Sequence, residues 1–262
     1  MPKHYKTDLI ILSNVTLDGG FCYMTTRPTE QLTDLIVTPG QFAELRIRGV
    51  DGVMLRRPIS IHDFDKKQNT ISFLIRNAGK GTAALCQMKA GDTLDAILPL
   101  GNGFDLKACG NKPLLVGGGV GVAPLLLLGR KLKEYGVTPT FLFGVRTSKG
   151  ILRREAYESI GQLCVATEDG SEGVKGFVTN HQLLSANEVS KFTSILQCGP
   201  TPMMKAVAHI AQENNVECFS SLENMMACGI GVCLCCVTDT VDNGNLRVCA
   251  DGPVFNSKQL KW

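Results

Sequence analysis

Four cysteines in the C-terminal part of the chain, Cys228, Cys233, Cys236 and Cys249, follow the spacing C-x4-C-x2-C-x12-C. No other stretch constrains the fold so tightly, because three thiols must share one short loop while the fourth returns from a separate segment. Plant-type ferredoxins hold a [2Fe-2S] cluster with this spacing. Gly229 and Gly231 lie between the first two cysteines and free the backbone to curl, so that its N–H groups can face the sulfurs. A structural zinc also takes four cysteines, but it favours two tight C-x2-4-C knuckles, and only one tight pair is present. A disulfide framework fits worse, since the eleven cysteines are odd in number and the others are scattered. Cys235 lies inside the loop and could replace Cys236 as a ligand, although the ferredoxin spacing prefers Cys236.

The 262 residues suffice for two ordinary domains and a small module, and 44% of them are apolar, so sizeable cores can be buried. The 27 basic and 24 acidic residues leave a net charge of +3 without any block of like sign. That pattern argues against nucleic acid or a charged membrane surface as a partner. The first eight residues show no apolar stretch or cleavage site of an export signal. The longest apolar run, residues 122–128, is far below the ~20 residues of a membrane helix. Such a cysteine-rich chain is expected in a reducing cytoplasm, with its thiols free or bound to metal.

From residue 9 to about residue 100, short apolar and β-branched runs such as 34–38, 41–47 and 70–75 alternate with turns at Pro39-Gly40, Asp51-Gly52, Gly79-Lys80-Gly81 and Gly91-Asp92. This rhythm predicts an antiparallel β-barrel. Arg56-Arg57-Pro58-Ile59-Ser60 interrupts it with two cations and a proline. The stretch reads either as an edge strand blunted by charge or as a flavin site, in which Arg57 grips a pyrophosphate, Pro58 fixes the backbone and Ser60 offers a hydroxyl to a ring nitrogen. Leu74-Ile75-Arg76 supplies a second anchor. In a third, Gly81 precedes Thr82, a candidate N-cap for a helix running through Cys86, whose free N–H groups would point at an anion. Alone, Gly81-Thr82 is an ordinary helix start. With Arg57 and Arg76 it makes a concentrated phosphate site.

After the turn cluster at 98–104 the rhythm changes. Residues 112–124 read as a buried strand, a glycine turn through Gly117, Gly118, Gly119, Val120 and Gly121, and a helix beginning near Pro124. That order suits a dinucleotide pyrophosphate at a helix N-terminus, although the glycines are not spaced as G-x-G-x-x-G. A helix over 125–135, stopped by Gly136, leads to a strand over 138–144 in βαβ style. Another strand, 192–197, ends at Cys198-Gly199-Pro200 before a helix to about Asn214, so a thiol stands at the carboxyl edge of the sheet, where open α/β folds bind cofactors. The competing reading of Cys198 is a small buried hydrophobe. A last strand spans 216–221. The expected division is 1–103 barrel, 104–215 nicotinamide-binding α/β domain and 216–262 cluster module. His4, His62, His181 and His209 share no spacing of a metal site or triad and read as incidental, and Met225-Met226 reads as packing.

In their order along the chain, these motifs resemble the electron-transfer subunits of dihydroorotate dehydrogenase B, within the ferredoxin reductase superfamily. The resemblance spans essentially the whole chain. Arg57-Pro58-Ile59-Ser60 is similar to the family's flavin motif and Gly81-Thr82 to its phosphate turn. Residues 117–124 with Cys198-Gly199-Pro200 are similar to its nicotinamide half. The most specific element runs from Met226-Ala227-Cys228 through Cys249-Ala250-Asp251-Gly252-Pro253-Val254-Phe255. Ile75, Leu234-Cys235 and Met225 depart from the family, which tends to have aromatic, aromatic-alanine and arginine residues there.

The resemblance implies an FAD-binding barrel using Arg57, Pro58, Ile59, Ser60, Leu74, Ile75, Arg76, Gly81 and Thr82. It implies an NAD-binding α/β domain using Gly118, Gly119, Val120, Gly121, Cys198, Gly199 and Pro200, and a [2Fe-2S] module using Cys228, Cys233, Cys236 and Cys249. It further implies an FMN-containing dihydroorotate dehydrogenase catalytic subunit as partner in a heterotetramer of two plus two, with NAD as electron acceptor in orotate formation. Two other readings compete. One is a flavin and iron-sulfur subunit of a ferredoxin:NADP oxidoreductase or sulfide dehydrogenase complex, some of which have aspartate at the first cluster position where Cys228 stands. Arg146, just after a strand, is a seat for a 2′-phosphate in that reading and a solvated loop charge otherwise. The other is a non-catalytic scaffold subunit with a structural zinc.

Overall fold

The first hundred residues close on themselves because their apolar side chains alternate along short strands that have no second sheet to cover them. A computed structural model describes residues 3–262. Strands β1 (Tyr5–Leu17), β2 (Phe21–Pro28), β3 (Phe42–Arg46), β4 (Arg57–Asp65), β5 (Thr70–Arg76) and β6 (Thr93–Leu100), with helix α1 (Lys80–Gln87) between the last two, form the first unit. The strands make a closed antiparallel barrel in the order β1-β2-β5-β4-β3-β6, β6 returning to β1. Leu9, Ile11, Met24, Ile61, Ile71 and Phe73 fill its interior.

Strand and helix then alternate. β7 (Pro113–Gly118) is followed by α2 (Leu125–Glu134), β8 (Thr140–Val145), α3 (Arg154–Glu158), β9 (Gln162–Thr167), β10 (Val174–Lys175), α4 (Ala186–Val189), β11 (Ser194–Cys198), α5 (Thr201–Glu213) and β12 (Glu217–Ser221). They build a parallel sheet in the order β10-β9-β8-β7-β11-β12. Strands such as β7 and β11 are buried along their whole length, as continuous apolar runs covered on both faces should be. The cysteine segment contributes a small hairpin, β13 (Val237–Asp239) with β14 (Asn245–Arg247), and then β15 (Val254–Asn256), which adds antiparallel to β12 as a seventh strand. Hydrogen bonding thus places Glu217–Ser221 in the sheet, and the chain enters the cysteine segment at Leu222.

Two expectations change. Residues 34–38 are not a strand: Leu35 and Val37 point into the barrel while Ile36 is exposed, so the alternation is real, but the barrel closes without them and no ladder forms. Thr82 does not cap α1 from outside. It lies in the helix's first turn, and its hydroxyl reaches back to accept the N–H groups of Ala78 (2.9 Å) and Gly79 (3.1 Å). Among the described residues no helix is long and apolar enough to cross a membrane.

Barrel and sheet share apolar packing, because Leu127 of α2 is buried in the barrel's core cluster. Leu127→Ala should therefore weaken the junction as well as the helix. The expected loss is about 2–5 kcal/mol of unfolding free energy, the usual cost of a buried leucine, read by urea denaturation of the cofactor-free chain.

Candidate functional site

The cysteine loop owes its shape to backbone geometry that only glycine adopts easily. Gly229 and Gly231 have φ of +69° and +83°, and a Cβ on Gly229 would meet Glu44 Cγ at 2.6 Å. So curled, the loop aims amides at sulfur. Ile230, Val232 and Cys233 N–H donate to Cys228 Sγ at 3.5, 3.4 and 3.4 Å, and Gly231 N–H donates to Cys249 Sγ at 3.1 Å. Burial opposes the Cys228 thiolate, but the Cys233 and Ile230 amides, the Cys233 thiol and the Val232 amide outweigh it and hold its pKa down to about 6. Burial and the neighbouring Cys236 thiol push Cys249 up to about 12.

The thiols are arranged as two pairs, Cys228 with Cys233 and Cys236 with Cys249. Cys249 N–H also donates to Cys236 Sγ at 3.4 Å. Leu234 takes a left-handed conformation, φ +59°, and across this turn Cys235 is left exposed while Cys236 is buried beside Cys249. Among the described residues no three His, Cys, Asp or Glu side chains converge as they would around one metal ion. Two pairs of cysteines, three from one loop and one from the returning segment, are a donor set that fits two irons with two sulfurs each. Arg247 locks the returning segment: it donates to both carboxylate oxygens of Asp251 (2.9 and 2.7 Å) and to the Gly231 carbonyl (3.4 Å).

This loop rests on the barrel. Gly229 lies against Glu44 of β3, and Glu44 is paired in register with Pro58 of β4. Asn102 fastens the segment by donating from its side chain to the Ala250 (2.9 Å) and Asp251 (3.2 Å) carbonyls. At a strand spacing of about 4.8 Å, the cysteine loop is within roughly two spacings of the Arg57-Pro58-Ile59-Ser60 stretch. Glu44 is 1% exposed with neither carboxylate oxygen bonded, and burial, opposed by Arg56, pushes its pKa up to about 7.

Arg57 lies against the start of α1, where a Cβ on Gly81 would come within 2.7 Å of its Nε. A guanidinium and first-turn amides therefore converge, a cradle suited to a pyrophosphate. Pro58, Ile59 and Ser60 follow Arg57 along β4, each partly exposed. Leu74 and Ile75 are both buried, Leu74 in the core beside the sheet and Ile75 in the barrel interior. The Ile75 side chain is turned into the barrel core, so it offers a ligand its backbone. Arg76 is exposed at the end of β5 and acts electrostatically on Glu223.

Glu223 links this region to the sheet, since Cys198 Sγ donates to its carboxylate at 3.8 Å. The glutamate is exposed to solvent yet crowded by protein, and burial raises its pKa against the pull of Cys198 and Arg76. Cys198 is itself fully buried, and burial and Glu223 keep it a thiol. Beside it, a Cβ on Gly121 would lie 2.3 Å from the Cys198 carbonyl, and one on Gly118 would lie 2.8 Å from Pro200 Cδ and 2.7 Å from Met203 Sδ. The turn Gly118, Gly119, Val120, Gly121 is thus seated on Cys198-Gly199-Pro200, with Gly119 and Val120 on its outer side. Sequence reasoning missed Glu44, Glu223 and His62. His62 is fully buried, and its Nδ1 bonds the Ala123 carbonyl at 2.7 Å.

Comparison with known proteins agrees with this layout. Residues 223–261 match the family described as the iron-sulfur cluster binding domain of dihydroorotate dehydrogenase B, and residues 115–209 match the oxidoreductase NAD-binding domain. The chain is 37% identical to the dihydroorotate dehydrogenase B (NAD(+)) electron transfer subunit of Bacillus pumilus, over 97% of this chain and 98% of that protein. Its identity to the protein of the same name from Bacillus caldolyticus is 39%, over 85% and 86%. The solved structure of an NADH-dependent reduced ferredoxin-NADP oxidoreductase is similar with a TM-score of 0.84 and 30% identity, over 97% of this chain and 90% of that one.

Burial at the barrel–sheet junction lowers the pKa of His62 from 6.5 to about 3, more than its bond to Ala123 restores. Above pH 6.5 the imidazole is neutral whether the chain is folded or not. Below that, the unfolded chain takes up a proton that the folded chain refuses, so stability falls as pH drops from 6.5 toward 3. The slope from this group is at most about 1.4 kcal/mol per pH unit. Denaturation between pH 7 and 4.5 should show a flatter profile for His62→Gln than for the unaltered chain.

Proposed function

The chain belongs to the family of dihydroorotate dehydrogenase B electron transfer subunits, and from that premise we propose that it carries electrons from a partner dihydroorotate dehydrogenase through a [2Fe-2S] cluster and FAD to NAD+. The observation that supports this reading is that the cysteine loop, the Arg57-to-Ser60 stretch and the glycine turn are joined through a few neighbouring residues. The cysteine loop sits on β3, the Arg57-to-Ser60 stretch lies on the adjoining β4, and Cys198 with its glycine turn meets Arg76 through Glu223. FAD exchanges a hydride with a nicotinamide and an iron-sulfur cluster passes single electrons, so the two together convert one form of electron transfer into the other.

Each residue has a part in this reading. Cys228 and Cys233 hold one iron, Cys236 and Cys249 the other, and the loop amides stabilise the thiolates. Arg57 and the α1 terminus at Gly81 and Thr82 take the FAD pyrophosphate. Pro58, Ile59, Ser60 and the backbone of Leu74 and Ile75 frame its ring, with Arg76 at the rim. Gly118, Gly119, Val120 and Gly121 let the NAD pyrophosphate approach the backbone, and Cys198, Gly199 and Pro200 form the floor toward the flavin. Met225, Ile230, Val232 and Leu234 are exposed apolar side chains in and just before the cysteine loop, and they make it the contact edge for the partner. That partner carries FMN and the assembly is a heterotetramer of two plus two, in a cytoplasm reducing enough to keep all eleven cysteines unpaired.

Alone, the loaded chain should reduce dyes with NADH yet leave dihydroorotate untouched, and adding the catalytic subunit should produce dihydroorotate-dependent NADH. Oxidation of dihydroorotate by the lone chain would sink the proposal. Cys228→Ser should reduce transfer to the partner to background while NADH still reduces the flavin, measured by parallel dye and coupled assays.

A further inference from the structure

Strand β4 begins with the flavin-side residues Arg57, Pro58, Ile59 and Ser60, which pair with β3, and its second half, which pairs with β5 across an irregularity between Ile61 and Asp63, carries His62 and Asp63. Those last two face the sheet domain. His62 is 0% exposed, and its Nδ1 lies 2.7 Å from the Ala123 carbonyl. A carbonyl can only accept, so Nδ1 carries the proton. Nε2 is buried without a partner and keeps its lone pair. One residue earlier, the Val122 carbonyl accepts from the Tyr157 hydroxyl of α3 at 2.7 Å, and Tyr157 is also 0% exposed.

Val122 and Ala123 end the Gly119–Val122 turn and precede α2, so their carbonyls lie outside the helix's own hydrogen-bond ladder. His62 and Tyr157 satisfy both. The surroundings hold the two donors rigidly: His62 packs edge-on against Tyr23 and Tyr157, with ring centroids at 5.8 and 6.3 Å, and Arg153 lies 3.9 Å from the centre of the Tyr23 ring. Asp63 adds an ion pair to Arg130 of α2 at 2.6 Å. Gly121 is meanwhile pressed on the Cys198 carbonyl, so the glycine turn is fixed from below by β11 and from behind by these donors.

We propose that His62 and Tyr157 are positioning residues for hydride transfer, a two-donor clamp on the Val122 and Ala123 carbonyls that sets the nicotinamide turn at a fixed distance from the flavin-bearing strand. The clamp rests on the function proposed above. It touches neither cofactor and acts through the backbone of the turn. Its effect falls on the rate of the step, because the reacting atoms must meet in a narrow range of distance and angle.

The test is anaerobic stopped-flow reduction of the flavin by NADH, using the full chain loaded with FAD and cluster. Tyr157→Phe and His62→Leu should each slow reduction at saturating NADH by about tenfold or more, the scale on which small misplacements act. FAD content should be retained, the melting temperature should fall only by the several degrees that an unsatisfied buried carbonyl costs, and the NADH concentration for half-saturation should move by less than about threefold, since most contacts to the dinucleotide persist. His62→Asn, whose amide nitrogen stands where Nδ1 does and keeps the donor, should recover most of the rate. If His62→Leu fails to fold, Tyr157→Phe decides, because it removes a single oxygen. Unaltered rates in Tyr157→Phe, or a loss in either variant that follows FAD content or half-saturation alone, would overturn the clamp. Failure of the unaltered chain to reduce its flavin with NADH would instead overturn the proposed function.

Discussion

The fixed length of β4 is the constraint on which the other sites depend. Its nine residues span about 30 Å at the rise of an extended strand. Through β3 its first half is tied to the loop of Cys228 and Cys233, and in its second half His62 and Asp63 meet the glycine turn and α2. β4 is paired with β3 over residues 57–60 and with β5 over residues 61–65, so it cannot slide without breaking two ladders. A path that passes electrons between three centres needs separations that do not drift, and a strand held by β3 in its first half and by β5 in its second provides them.

Much of this was legible in the sequence because it depends on local pattern. The cysteine spacing dictates a curled loop, and Gly229 and Gly231 stand where positive φ is required. The alternation of short runs implies a closed sheet. Buried runs followed by Gly117–Gly121 or by Cys198-Gly199-Pro200 imply strand ends at a cofactor edge. Local pattern also explains the errors. Residues 34–38 alternate like a strand, yet strand status requires a neighbour, and no spacing in the sequence says that the barrel closes without them. Thr82 resembles a cap because hydroxyls precede helices, but here the hydroxyl reaches back from the first turn. That Cys236 and not Cys235 is buried turns on the left-handed Leu234, a conformation that its residue type disfavours.

The residues missed altogether are polar groups whose partners are distant in sequence. His62 bonds a carbonyl 61 residues away, Cys198 meets Glu223 across 25, and Glu44 is buried by a loop that begins far beyond it. Nothing near His62 in the sequence distinguishes it from an incidental histidine. One signal was available: an imidazole followed by Asp63 in a strand whose first half already carried a functional motif, and whose far end had to face something.

The junctions between the three parts combine apolar packing with directional polar contacts. Leu127 supplies an apolar contact between barrel and sheet, while His62, Tyr157 and the Asp63–Arg130 pair supply direction. Asn102 does the same for the cysteine segment, above a core shared by Phe42, Leu100, Val248 and Phe255. Apolar packing alone tolerates sliding, because many registers bury similar area. A hydrogen bond into a buried carbonyl does not, since a shift of one ångström leaves donor and acceptor both unsatisfied, at about 1–3 kcal/mol each. The buried polar contacts at these junctions are therefore what fixes the distance between parts that the apolar packing merely holds together.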